Sequence, residues 1–326
     1  MAGSEGTASA RHVVFLLHDG CELIDFAAPA AVFGAVRTHR GRSAYRVTVA
    51  SRAPSRVRLA GGVAVAVDAS SRALRDPLDT LVVPGGTRVD DAARDTALLD
   101  DVRSLARRTR RVVAVSSGTV LLAAAGLLHG RRATSHWATL ARLRRDYPSV
   151  DVATDVLWVR DGDVYTCAGA TTGIDLTLAL VEEDHGAAVA DELARWLLVP
   201  VRRPAGQAQR SVRMSLPPPA TAGLRLALDL AALDPGADLS VRALAERAAL
   251  SPRHFSRRFQ AELGTTPARY VEGVRVEAAR RLLEQSGVTL DVVARTAGFR
   301  SVETMRRAFL RTLGVPPGAV RRSQLA

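Results

Sequence analysis

The sequence contains no lysine: all 45 of its basic side chains are arginine. That excludes a phosphate-cradling P-loop lysine and a Schiff-base lysine, both of which need the lysine amino group. Only two cysteines occur, Cys21 and Cys167, too few for a disulfide framework or a cysteine zinc site. Aromatic residues make up 4% of the chain, and no apolar run approaches the ~18–20 residues that span a bilayer. The start is small and polar, without the charged and apolar regions of a signal peptide. A cytoplasmic, nucleoid-associated protein is the expectation, with no membrane partner, no cofactor and no metal.

What is present is unevenly distributed. Apolar residues reach 47% of the 326 positions, enough for real cores, and the length fits two domains. Residues 1–201 hold 24 Arg against 23 Asp and Glu, whereas residues 202–326 hold 21 Arg against 10. Nearly all of the formal charge of +12 therefore sits in the last third. A neutral domain joined to a strongly basic one is the electrostatic footprint of a nucleic-acid binder.

The first two hundred residues alternate apolar runs with helical stretches. His12–Leu17, Tyr45–Ala50, Val63–Val67, Leu81–Val83 and Val112–Val115 read as strands, and Ala27–Arg37, Thr96–Arg108 and Val120–Ala125 as helices. Such a pattern predicts a mostly parallel sheet covered on both faces. Leu157–Val159 and Val164–Cys167 form a hairpin around Gly162, and helices over 173–184 and 188–198 close the domain. Prolines at 200, 204 and 217–219 mark a linker over 202–222. The expected organisation is a disordered N-terminus (1–11), an α/β domain (12–201), the linker, and an all-α domain (223–326).

The all-α part contains an internal repeat. Arg257-Arg258-Phe259 with Gly264 and Pro267 matches Arg306-Arg307-Ala308-Phe309 with Gly314 and Pro317. Upstream, Leu244-Ala245-Glu246-Arg247-Ala248 matches Val293-Ala294-Arg295-Thr296-Ala297. Each copy reads as helix, tight turn, helix. In the first, Ser251 caps and Pro252 opens a helix that buries Phe255, Phe259 and Leu263 and leaves Arg253, Ser256, Arg257 and Gln260 on the opposite face. In the second, Ser301 caps, Met305 and Phe309 face inward, and Glu303, Arg306 and Arg307 face out. Long bidentate donors flanked by short polar groups are what a helix in the major groove requires. A continuous helix over about 267–285, roughly 27 Å long, separates the copies. A spacer of that order holds two recognition helices about one DNA turn (~34 Å) apart.

Residues 244–271, 275–284 and 293–322, with the corner Gly298-Phe299-Arg300-Ser301, resemble the AraC/XylS-type DNA-binding domain. The resemblance implies a sequence-specific transcription regulator that binds double-stranded promoter DNA. It also implies base-edge reading by Arg253, Ser256 and Arg257 and by Glu303, Arg306 and Arg307. Within 12–200, Asp25-Phe26-Ala27-Ala28-Pro29, Pro84-Gly85-Gly86 and Ala123-Ala124-Ala125-Gly126-Leu127-Leu128 resemble the ThiJ/PfpI domain of the class I glutamine amidotransferase-like superfamily. That implies a flavodoxin-like three-layer sandwich. The fusion of the two is similar to the GlxA family of regulators, which implies a homodimer formed through the first domain and a small-molecule effector.

Ala114-Val115-Ser116-Ser117-Gly118 follows a strand and opens a helix, as a nucleophile elbow does. Catalytic relatives carry a cysteine there, and Ser116 occupies its place. The resemblance puts Glu22 at the acid that contacts that cysteine, while Gly85, Gly86, Ser117 and His136 complete a pocket at the carboxyl ends of the strands. A serine needs an oriented base where a cysteine thiolate largely does not. The expectation is a pseudo-catalytic pocket without a catalytic residue; the alternative is weak serine-dependent amidase or hydrolase activity.

Overall fold

The computed structural model describes residues 10–38, 41–52, 55–199, 202–285 and 287–322. The chain divides into two compact units, Met1–Gln209 and Arg210–Ala326. Of the expected disordered N-terminus, residues 1–9 lie outside the described residues, and Arg11 already pairs with Tyr45 in the sheet.

The first unit carries β1 (Arg11–Leu17), α1 (Leu23–Ala35), β2 (Tyr45–Ser51), β3 (Arg56–Arg58), β4 (Ala64–Ala66), β5 (Ala69–Ser70) and β6 (Leu78–Pro84). It continues with α2 (Val89–Ala92), α3 (Thr96–Ala106), β7 (Thr109–Val115), α4 (Gly118–Ala124), β8 (Arg132–Ala133), α5 (Leu140–Asp146) and β9 (Asp151–Val152). β10 (Trp158–Asp161), β11 (Val164–Cys167), α6 (Thr172–His185) and α7 (Ala187–Trp196) complete it. Seven strands form one sheet in the order β10-β11-β7-β6-β1-β2-β5. All neighbours are parallel except the β10–β11 hairpin, which turns at Gly162. Period-two alternation sends Val14 and Leu16 of β1 into the core under α3–α5, and Val13, Phe15 and Leu17 into the core under α1, α6 and α7. The sandwich is therefore three layers deep.

Two expectations shift. The strand predicted over Val63–Val67 is shorter and pairs antiparallel with β3 in a separate hairpin, outside the main sheet. Its residues are mostly exposed, and so lack the two-sided burial that makes a central parallel strand. Helix α1 begins at Leu23, four residues before the predicted start, and carries Pro29 inside it.

Residues 202–222 are shared between the units. Arg203 binds Asp175 through backbone and guanidinium at 2.9 Å, and Gln209 donates to the Ser135 and Val156 carbonyls at 2.9 and 3.1 Å, all within the first unit. In the second unit, the Val212 N–H donates to Glu277 and the Thr221 N–H to Glu262. Their polar and proline-rich composition marks the absence of helix; it does not by itself mark a free tether.

The second unit contains α8 (Ala222–Leu233), α9 (Val241–Arg247), α10 (Pro252–Leu263), α11 (Pro267–Gln285), α12 (Leu290–Thr296), α13 (Val302–Leu313) and α14 (Pro317–Arg322). Two small cores lie along α11. Tyr270, Val271 and Val274 serve the first, around Phe255 and Phe259; Val276, Ala279 and Leu283 serve the second, around Met305 and Phe309. Leu282 is only partly buried and packs against the edge of the second core.

The repeat is visible in the turns. Leu250 N–H donates to the Ala245 carbonyl at 2.9 Å, and Phe299 N–H to the Ala294 carbonyl at 2.8 Å. The left-handed residue in that turn is Gly298 in the second copy (φ 81) but Ala249 in the first (φ 53). A side chain in that conformation costs roughly 1–2 kcal/mol. Ala249→Gly is therefore expected to raise the stability of the second unit by up to about 1 kcal/mol, read in calorimetric unfolding. Gly298→Ala is expected to lower it, because a Cβ there would lie 2.3 Å from the Pro235 carbonyl oxygen.

Candidate nucleic-acid interface and elbow pocket

Helix α10 is fixed at both ends and along one side. The Ser251 hydroxyl accepts from the His254 N–H at 3.3 Å, Pro252 opens the first turn, and Gly264 closes the helix in the left-handed conformation. Phe255, Phe259 and Leu263 are buried, and Phe259 packs against Tyr270 with ring centroids 5.8 Å apart. The opposite face carries Arg253, Arg257 and Gln260 exposed and Ser256 half-buried. Among the described residues neither Arg253 nor Arg257 has an intramolecular hydrogen bond or ion pair. Arg258, one position on, is instead engaged with the Thr221 hydroxyl at 2.7 Å.

Helix α13 repeats the construction with Ser301, whose hydroxyl accepts from the Thr304 N–H at 3.2 Å, and Gly314. Met305, Ala308 and Phe309 are buried. Its outer face differs in one respect: Arg307 Nε donates to Glu303 at 3.0 Å, one turn apart, while Arg306 stands exposed without such a partner among the described residues. In this copy part of the outer charge is internally compensated.

In the first unit Ser116 sits at the β7–α4 turn with φ 59, the backbone conformation an elbow imposes. Its N–H donates to the Cys167 carbonyl at 2.9 Å. Small neighbours make room: a Cβ on Gly169 would fall 2.2 Å from the Ser116 Cβ, and one on Gly85 would fall 2.5 Å from the Ser117 hydroxyl. Ser117 Oγ accepts from the Gly86 N–H at 2.9 Å, and the Ser135 hydroxyl donates to the Ser116 carbonyl at 2.8 Å.

The acid that adjoins Ser116 is Asp25, one turn beyond Glu22 on α1. Asp25 is 2% exposed; its Oδ1 accepts from the Ala170 N–H at 2.7 Å, and its Oδ2 has no hydrogen-bond partner among the described residues. Burial pushes its pKa up to about 6, against the lowering effects of the Ala170 N–H and the Ser116 hydroxyl, while the charge of Glu22 adds to the rise. Sequence reasoning placed Asp25 only inside a motif. The available signal was an acid breaking the apolar face of a helix beside the elbow loop.

His136 is half-buried, lies with its ring tilted against that of Trp137 at a centroid distance of 5.3 Å, and accepts at Nδ1 from the Ala138 N–H at 3.4 Å. Burial lowers its pKa from the ordinary value. No hydrogen bond joins it to Ser116 among the described residues. Both cysteines are buried, and burial pushes each thiol up to about 12, far from a reactive thiolate at neutral pH. The described residues hold no cluster of metal-ligating side chains and no helix long and apolar enough to cross a membrane.

Comparison with known proteins agrees with this two-part construction. Residues 11–183 match the model of the DJ-1/PfpI family, and residues 244–323 match that of a helix-turn-helix domain. The HTH-type transcriptional regulator Rv1931c of Mycobacterium tuberculosis is 35% identical over 268 residues, covering 76% of this chain and 96% of the relative. The HTH-type transcriptional regulator GlxA of Rhizobium meliloti is 29% identical over 325 residues, 99% of both chains. A crystal structure of a ThiJ/PfpI family protein from Pseudomonas syringae covers 74% of this chain and 89% of its own, with a TM-score of 0.54 and 24% identity, which speaks for the fold. The chain belongs to the DJ-1/PfpI family in its GlxA branch, whose members join that domain to an AraC-type helix-turn-helix domain and act as DNA-binding transcription regulators.

Proposed function

We propose that α10 is the principal base-reading helix of this regulator, through Arg253, Ser256, Arg257 and Gln260, and that α13 reads a second groove segment through Arg306, with Glu303 and Arg307 as auxiliary contacts. The observation that carries this reading is the pair of unpartnered guanidinium groups on the exposed face of a doubly capped helix. Unbiased mapping of bound genomic fragments tests it. The expected motif has two parts with centres about 10 base pairs apart; a single short contiguous motif would remove α13 as a reader. Arg306→Ala is expected to relax the second part only, costing ~1–3 kcal/mol in gel shifts with altered duplexes.

The first unit serves, in this reading, as a non-catalytic dimerisation and effector-sensing domain of a cytoplasmic, nucleoid-associated protein. Serine in place of the elbow cysteine and a His136 not joined to it support that role. Sedimentation of the full chain checks the dimer. A second reading, a slow serine-dependent hydrolase, is favoured by the left-handed backbone of Ser116 next to a buried carboxyl. It requires covalent labelling of Ser116 by an acylating probe and loss of turnover in Ser116→Ala; an unlabelled serine removes it.

A further inference from the structure

A pair of recognition helices fits a duplex only at the angle and distance at which both enter the groove. The two cores of the second unit are separate clusters: Phe255 and Phe259 belong to one, Met305 and Phe309 to the other, and both rest on α11. The copies also meet directly. The loop between α8 and α9 belongs to the first copy, where Ala237 and Leu239 pack into the core. Its other side reaches the turn between α12 and α13. Gly298 in that turn is left-handed (φ 81), and a Cβ on it would lie 2.3 Å from the Pro235 carbonyl oxygen. A Cβ on Gly236 would in turn lie 3.1 Å from the Thr296 carbonyl oxygen. Main chain of one copy therefore rests on main chain of the other.

Arg275, near the middle of α11, closes this contact. Its Nε donates to the Pro235 carbonyl and its Nη2 to the Ala237 carbonyl, each at 3.1 Å. The side chain is half-buried, and its Nε is also the atom that a Gly298 Cβ would approach to 2.8 Å. Burial lowers its pKa, Asp238 on the loop opposes that, and Arg300 of the second copy adds to it, so charged groups of both copies surround it. A guanidinium is a rigid fork whose two fixed donors match two carbonyls at once; an ammonium on a flexible stem does not.

We propose that Arg275 is the positioning residue of the two-part reader: by pinning the α8–α9 loop against the Gly298 turn it fixes the angle between α10 and α13, and so sets the spacing the DNA site must have. Its guanidinium is spent inside the protein, so it acts through the loop and not on a base. The proposal rests on the reading of α13 as a second reader and adds what sets the distance between the parts. One inserted base pair moves the second part by about 3.4 Å and turns it by about 35° around the duplex. A locked pair of helices cannot follow that change. A pair joined by α11 alone can, at a cost in affinity for the native spacing.

Gel shifts of the full chain test it, on the duplex found by fragment mapping and on duplexes with one base pair inserted or deleted between its two parts. The wild-type chain is expected to bind both altered duplexes at least about tenfold more weakly, because the contacts of one part are lost. Arg275→Met keeps the apolar stem. It is expected to lose about fivefold or more at the native spacing, and to separate native from altered spacing by less than about threefold. Arg275→Lys keeps the charge without the fork; it is expected to fall between the two, and it carries the test if the methionine variant does not fold. A merely structural role would weaken binding to all three duplexes by one factor, and a spacing ratio left at the wild-type value overturns the proposal. A wild-type chain indifferent to spacing removes α13 as a reader and the proposal with it. A strict wild type with equally strict variants removes the proposal alone.

Discussion

Replacing Arg253 and Arg257 together by alanine is expected to abolish sequence-specific DNA binding while leaving the fold intact. Each base-reading arginine contributes ~1–3 kcal/mol of discrimination, so the pair accounts for roughly 2–6 kcal/mol, or about 30-fold to 10⁴-fold in affinity for the cognate site. The fold survives because neither side chain has a partner among the described residues. What holds α10 is the Ser251 cap and the buried stripe of Phe255, Phe259 and Leu263. Gel shifts with cognate and scrambled duplexes read the effect, and the double variant is expected to bind both alike. Weak binding remains, since the domain keeps most of an excess of 21 arginines over 10 acids, and that residual binding falls steeply with salt. Arg258→Ala is the matched control: its guanidinium is held by Thr221 and its loss leaves the motif unchanged. A double variant that still separates cognate from scrambled DNA would place base reading elsewhere.

The construction of α10 and α13 was legible in the sequence because its signals are local. Caps, glycine stops and an apolar stripe at helical spacing are each set by residues within one or two turns, and the repeat supplies them twice. The central strands were legible for a similar reason, as runs apolar enough to be buried on both faces. The elbow pocket was legible only in part. Ser116, Ser117, Gly85 and Gly86 come together as expected, but the carboxyl beside the serine belongs to Asp25, with Glu22 one turn back. The one local difference between those two acids is that Asp25 interrupts the apolar face of α1 while Glu22 stands at its N-cap. Their roles are set by how α1 packs against the end of β7 and the loop at 169–170, contacts about 90 and 145 residues away in sequence. At 202–222 prolines exclude helix, and composition does not show that Arg203 and Gln209 are held by specific hydrogen bonds.

Asp25→Asn is expected to stabilise the first unit at neutral pH and to change little in acid. The Asp25 carboxyl has an ordinary value of 3.8 when unfolded and about 6 in the folded unit, because burial disfavours its charged form. The folded state therefore holds the proton more tightly. The stability this contributes is fully present below about pH 4 and is lost as the pH rises through about 6. Above that, the buried carboxylate lowers stability by about 3 kcal/mol relative to its neutral form. Asparagine keeps an oxygen for the Ala170 N–H and the same shape, and it never ionises. Its advantage should approach that figure at pH 8, about 6–12 °C in unfolding temperature for a domain of this size, and shrink steadily on acidification. An advantage that does not vary with pH would mean that the carboxyl stays neutral or is already paired. A charge held at such a cost beside Ser116 is the kind of strain that functional sites retain. The same variant separates the two readings of the elbow. Hydrolysis through Ser116 needs the carboxylate and would be lost, whereas a domain used for dimerisation and sensing would keep both and become more stable.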